Sequence, residues 1–225
     1  MKPFFLDFES NKAGLFYLSG FEIEGVFEQC VLNKDLEGYA KFKGFIIQEP
    51  IEFLNEVLGR LHEEKFVLVA YSQAEKSIIN ALLEDEINRQ KFTGLRYLNL
   101  LSAAKKWIRK YKKLEFEALP PFRIGADTYT QRRQRYSLAS VMRLTNFQAE
   151  NDYAPGKTTS RLNTVMKALK RTGQNFENLT AVQKAKATKA VKHNEFDVKA
   201  MPVLFDLINA QDEACIKKSV IKLLN

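Results

Sequence analysis

Cysteine, histidine, proline and tryptophan are all scarce here, at two, two, six and one among 225 residues. Cys30 and Cys215 are too few for a disulfide framework, and with His62 and His193 they make no zinc-type ligand spacing. A reducing, cytoplasmic setting is therefore the expectation. Long hydrophobic runs are missing too: Phe66 to Tyr71 falls far short of the roughly 20 residues a membrane helix needs, so no membrane association is expected. The apolar start Met1 to Leu6 meets Asp7 and Glu9 too soon for an export signal. With no internal repeat and no low-complexity linker, residues 1–225 read as one domain. Apolar residues are not scarce. At 45% hydrophobic and 28% charged, the chain excludes the disordered and fibrous classes and predicts a real core.

The net charge of +8 is unevenly placed. Residues 1–100 hold eleven basic and sixteen acidic side chains, a net of −5. Residues 101–145 reverse this with eleven basic against three acidic, and residues 157–192 carry nine basic against Glu177 alone. Each basic block has a net charge of +8. Such blocks often are solvated helix faces, but Trp107, Tyr111, Tyr129 and Tyr136 lie among these cations. Phosphates attract cations and bases stack on rings, so a nucleic acid is the expected partner.

The hydrophobic periodicity predicts strands first and helices later. Pro3 to Ser10 alternates, with Leu6 and Phe8 on one face and Asp7 and Glu9 on the other. Leu15 to Glu24 and Val26 to Leu32 continue as an antiparallel meander. A helix follows Pro50, its apolar stripe Ile51, Leu54, Val57, Leu58 and Leu61 at spacings of three and four. Phe66 to Tyr71 is apolar throughout, as a central parallel strand requires. Another helix starts near Glu75, and Leu95 to Leu101 supplies a fifth strand. Beyond residue 101 a helix should turn Leu101, Ala104, Trp107, Ile108, Tyr111 and Leu114 inward. Ser137 is placed as an N-cap, Thr180 with Gln183 forms a capping-box signature, and residues 211–225 read as a last amphipathic helix. The predicted class is α/β, a mixed five-stranded sheet with helices on both faces.

Three segments carry candidate chemistry. Asp7 and Glu9 sit two apart on one strand face, about 7 Å along the chain, close enough to share hard cations. A solvated strand face has such pairs too, but Phe4, Phe5, Leu6 and Phe8 make this an inner strand, where carboxylates need a partner. Glu75 follows Tyr71-Ser72-Gln73-Ala74 at the carboxyl end of a buried strand, where open α/β sheets place ligands. It can equally complement a helix dipole. His193 and Asp197, four apart, share a helix face, as a proton-transfer group beside a ligand or as an ordinary surface pair. Pro202 should kink the chain just past them.

In this order, Phe5-Leu6-Asp7-Phe8-Glu9, Tyr71 to Glu75 and His193-Asn194-Glu195-Phe196-Asp197 resemble the three motifs of the DEDD superfamily of 3′-5′ exonucleases. The similarity is closer to the predicted ribonuclease H-like branch associated with RecB-type nucleases, and spans roughly residues 4 to 210. Tyr136 to Val141 resembles the serine-leucine helix start before the third motif. The chain departs from that pattern in having Glu75 where Asp is usual and His193 where most members have Tyr.

The resemblance implies a ribonuclease H-like fold and phosphodiester hydrolysis with two Mg²⁺ or Mn²⁺ ions, on DNA or RNA that is single-stranded or frayed at its ends. Asp7 would bridge both ions, Glu9 and Asp197 would each help hold one, and Glu75 would reach the outer ion. His193 would orient or deprotonate the attacking water. Arg132, Arg133, Arg135 and Lys157 are expected on phosphates, with Tyr136 beside them. Two alternatives stay open: a ribonuclease H-like module that binds nucleic acid without cutting it, and an unrelated α/β enzyme.

Overall fold

The computed structural model describes residues 1–11, 15–83, 90, 92–120, 135–147 and 157–224. The chain opens with β1 (Pro3–Ser10), β2 (Phe16–Ile23) and β3 (Val26–Val31), an antiparallel meander. Helix α1 (Glu37–Lys43) leads to the short strand β4 (Ile46–Ile47), parallel to β3. Then come α2 (Pro50–Glu63), β5 (Val67–Ala70), α3 (Ala74–Leu82) and β6 (Arg96–Asn99), with β5 parallel to β1 and β6 parallel to β5. Helix α4 (Leu100–Trp107) passes through a π-helical turn (Ile108–Lys112) into α5 (Lys113–Ala118). After α6 (Leu138–Met142) and α7 (Thr158–Arg171), the 37-residue α8 (Ala181–Lys217) ends in β7 (Val220–Lys222), antiparallel to β6. The result is an α/β fold on one mixed seven-stranded sheet, ordered β4-β3-β2-β1-β5-β6-β7.

The period-2 alternation of β1 explains how its two faces are used. Phe4, Leu6 and Phe8 enter a core with Phe53, Leu54, Val57, Leu58 and Leu61 of α2. Fully burying each of those five α2 side chains contributes roughly 1.5–3 kcal/mol before entropy. Phe5 points the other way, into a core with Val69, Leu98, Trp107, Met201, Leu204 and Phe205 from β5, β6, α4 and α8. Asp7 and Glu9 share that second face and so lie beneath α8. A third cluster packs α7 and the first turns of α8 against Tyr17, Leu18 and Val31.

The two caps expected from sequence are present. Ser137 Oγ accepts from the Ser140 amide at 3.3 Å, and Thr180 with Gln183 makes both bonds of a capping box. Four expectations need correction. The sheet has seven strands rather than five, because the two-residue β4 and three-residue β7 are too short to display a periodicity. The expected last helix over residues 211–225 is only a short one, since helical geometry breaks at Asp212 and resumes as far as Lys217, after which the chain returns along β6. Pro202 lies inside α8 without breaking it. Helical angles are lost instead at Asp212 (φ −159°, ψ 83°), whose carboxylate accepts from Lys110 Nζ at 2.7 Å and the Ala214 amide at 3.1 Å. Leu114 is 81% exposed, whereas Phe116 is buried. The π turn adds a residue to the helical count and rotates everything beyond it, so an α-helical projection misplaces Leu114. Among the described residues no helix is long and apolar enough to cross a membrane.

Candidate active site

β1 is the middle strand, and its register explains where its carboxylates go. Asp7 lies opposite Gly20 of β2, which in turn lies opposite Gln29 of β3, so one row across the sheet reads Asp7, Gly20, Gln29. Asn194 of α8 is laid over this row, completely buried. Its Nδ2 donates to Asp7 Oδ2 at 2.7 Å and to the Asp7 carbonyl at 3.3 Å, and its Oδ1 accepts from Gln29 Nε2 at 2.9 Å. A Cβ at position 20 would stand 2.3 Å from Asn194 Oδ1, so only glycine lets the helix come this close. Immediately after Glu9 the β1–β2 register shifts in a bulge, the kind of local irregularity that re-aims a side chain.

The remaining acids come from different elements. Glu75, in the first turn of α3, is buried with Oε2 accepting from Ser72 Oγ at 3.1 Å. That loop is held by the Tyr97 hydroxyl, which donates to the Ser72 carbonyl. Asp197 lies one helical turn beyond His193 on α8, and its Oδ2 is 3.3 Å from His193 Nε2. The same nitrogen is 4.0 Å from Glu9 Oε1. Ligand atoms of Glu9, His193 and Asp197 all fall within 4.8 Å of one another.

The electrostatics tie all four acids into one site. Burial pushes Asp7 up to about 6, against the opposing hydrogen bond from Asn194. Glu9 is held well above the carboxylate range, first by burial and then by the charges of Asp7, Asp197 and Glu75, with the Thr158 hydroxyl acting the other way. Burial and then Asp7 lift Glu75 to about 8. His193 moves oppositely: burial, then the nearby Arg161 cation, lower it to about 4. The imidazole is therefore neutral at pH 7, and a weaker base than the near-6.5 group expected from sequence.

The expected ligands Asp7, Glu9, Glu75 and Asp197, with His193, thus converge at the carboxyl ends of β1 and β5 under α8. Of the residues expected on phosphates, Arg132 and Arg133 lie outside the described residues. Arg135 and Tyr136 precede α6. The Arg135 guanidinium stands 5.3 Å from the Phe116 ring, which lies 4.9 Å from the Tyr136 ring. Tyr136 is joined to the acidic centre through its carbonyl, which accepts from the Tyr71 hydroxyl at 2.7 Å. That phenol has its pKa raised by burial and then by the Asp197 charge. Lys157 is exposed at the start of α7, next to the Thr158 that faces Glu9.

No family model, curated protein or solved structure matches this chain. The site therefore has to be judged on its own chemistry. Sequence reasoning passed over Asn194, Gln29, Gly20 and Thr158. Of these only Gly20 carries a signal, a glycine inside a predicted strand, which marks a close backbone approach.

Proposed function

We propose that the chain is a metal-dependent nuclease with a ribonuclease H-like core, hydrolysing phosphodiester bonds as a 3′-5′ exonuclease on single-stranded or end-frayed DNA or RNA. The observation that carries this reading is the meeting of four carboxylates from three distant segments, where burial and then the charges of the other three raise Glu9, and burial and then Asp7 raise Glu75. The strand order supports it as well, since β3-β2-β1 is an antiparallel meander followed by the parallel β5 and β6. Cys30 and Cys215, both free and buried, fit a reducing, cytoplasmic setting.

The donor set suits a divalent cation. Burial and neighbouring charge disfavour the ionised forms of Glu9 and Glu75, a cation would reverse that, and oxygen-rich ligand sets select Mg²⁺ or Mn²⁺. When bound, two such ions would stabilise the attacking and leaving oxygens of a phosphodiester. Asp7, Glu9 and Asp197 would hold them, with Glu75 behind Asp7. Asn194 fixes the Asp7 carboxylate through a bond to Oδ2 and leaves Oδ1 available. His193 stays neutral beside Asp197 and orients a water by hydrogen bonding, a role that does not require a strong base. The cations around Arg135 and Lys157 draw the phosphate backbone towards the acids.

The test is direct. Purified protein with Mn²⁺ or Mg²⁺ should shorten a labelled single strand, and Asp7→Ala should abolish this. Full activity in Asp7→Ala would overturn the proposal. A second reading, a module that binds without cutting, is favoured by the low basicity of His193. Binding with a steep salt dependence and no cleavage under any divalent cation would establish it instead.

A further inference from the structure

Six cations lie between residues 105 and 113, and the fold sorts them by partner. Lys106 Nζ donates to the Lys218 carbonyl at 2.8 Å and to Ser219 Oγ at 2.9 Å. Lys110 pairs with Asp212 at 2.7 Å, and Lys112 with Glu115 at 2.7 Å. The first two tie the helix to the end of α8 and the segment after it, and Lys112 is engaged within its own helical segment. Lys105, Arg109 and Lys113 differ: among the described residues none of them makes an ion pair. They recur every fourth residue and open, with Arg135 from the segment before α6, onto one groove of about 560 Å³.

Along an ideal α-helix every fourth residue drifts about 40° around the axis. The π turn at Ile108–Lys112 is wider and undoes part of that drift, which keeps the three side chains on a common line. The groove's floor is aromatic. Lys105 Nζ stands 5.0 Å from the Tyr136 ring, as Arg135 does 5.3 Å from Phe116, so ring faces hold two of the cations in place. Four cations face Glu117 as the one acid in the lining. Like charges gathered this way repel, and an anion with several charges at regular spacing relieves the repulsion. The Tyr136 carbonyl accepts from the Tyr71 hydroxyl at 2.7 Å, which links this groove to the end of β5, four residues before Glu75.

We propose that this groove holds the sugar-phosphate backbone of a single-stranded nucleic acid, with Lys105, Arg109, Lys113 and Arg135 on successive phosphates, as the strand runs to the carboxylates. The proposal rests on the nuclease reading and names the track by which that site receives its substrate. All four cations are exposed, so their replacement should leave the fold intact.

The experiment measures binding apart from cleavage. Fluorescence anisotropy in EDTA would compare wild type with a triple variant, Lys105→Ala with Arg109→Ala and Lys113→Ala, on labelled oligo(dU) and oligo(U) at several salt concentrations. With slopes of about 0.7 per phosphate contact for single strands, the triple variant should lose about 2 from the log-log salt slope and bind roughly 10- to 50-fold more weakly at 0.15 M salt. The double variant Lys106→Ala with Lys112→Ala removes cations already engaged by protein groups and should bind as wild type does. Arg109→Glu alone should weaken binding further than Arg109→Ala. Equal affinity and slope in wild type and triple variant would overturn the groove, as would equal losses in the triple and double variants. A preference that persists between oligo(dU) and oligo(U), which share a base, identifies the sugar. A wild type that binds through these residues yet never cuts with Mn²⁺ would remove the nuclease reading and leave the groove standing.

Discussion

Glu75→Gln should make the metal-free protein more stable, and the gain should grow with pH. Glu75 is buried and lifted from 4.5 to about 8 in the folded chain, by burial first and by Asp7 second. Unfolding exposes it to water, where it ionises near 4.5. Below that value both states hold the proton and the group is neutral in its effect. Between 4.5 and 8 only the unfolded state releases it, so stability falls as pH rises. At about 1.36 kcal/mol per pH unit, the penalty at pH 7 is on the order of 3 kcal/mol. A glutamine has no proton to lose and keeps an oxygen for the Ser72 hydroxyl, now 3.1 Å from Oε2. In a chain of this size 1 kcal/mol shifts the midpoint by about 2–4 °C, so the variant should melt roughly 5–10 °C above wild type at pH 7 in EDTA. At pH 4.5 the two should coincide. Thermal unfolding followed by circular dichroism, from pH 4.5 to 8, gives both curves. A variant melting at or below wild type at pH 8, or a wild type whose midpoint does not fall over this range, would refute the reasoning.

Other outcomes follow from the same geometry. Mn²⁺ at about 100 times its Kd should stabilise the wild type by about 2.7 kcal/mol, and Asp197→Ala should lose most of that midpoint shift because Asp197 is one of three groups whose ligand atoms lie within 4.8 Å. Gly20→Ala forces a Cβ to 2.3 Å from Asn194 Oδ1 and 3.0 Å from Val198 Cγ2, so it should destabilise by about 1–3 kcal/mol in denaturant titrations. Phe116→Ala should destabilise by about 3–5 kcal/mol while Leu114→Ala stays within about 0.5 kcal/mol, a contrast reversed if the π turn is replaced by regular helix. Thr180→Ala removes a two-way cap and should lower stability by about 1 kcal/mol, measured in the same way.

Much of this architecture is legible in local pattern. The alternation in β1, the stripe of α2 and the unbroken apolar run of β5 each report burial through a single periodicity, and those elements fall within a residue or two of where the pattern sets them. The acids are legible for a related reason: a carboxylate on an inner strand, or one at the end of a buried strand, conflicts with its surroundings. What is not legible depends on partners far away in sequence. Asn194 looks like an ordinary helix residue until β2 lies beneath it, and Gln29 until α8 passes overhead. The phase slip after Ile108 leaves no mark in composition, yet it decides whether Leu114 or Phe116 is buried. Strands as short as β4 and β7 exist only because β3 and β6 offer them an edge.

The acidic centre is a costly way to fill that space. An apolar set of similar volume would remove the repulsion that raises Glu9 and Glu75, and replacing buried ionic groups by well-packed apolar ones is often neutral or stabilising. The fold nevertheless commits structure to these side chains: a glycine in β2, a buried asparagine bonded to two strands, a bulge after Glu9 and a tyrosine securing the Ser72 loop. These features fix the geometry around the carboxylates, and of them only the Asn194 amide offsets charge, by donating to Asp7. On the proposed reading a cation would complete such a site, because a bound cation turns that repulsion into attraction. The stripe of Lys105, Arg109 and Lys113, which makes no ion pair among the described residues, has the complementary property: with Arg135 it sets four cations against the single acid Glu117. Under the proposed function, a phosphodiester chain with its divalent cations would supply the opposite charge to both regions, so the tests of the acids and of the groove bear on one another.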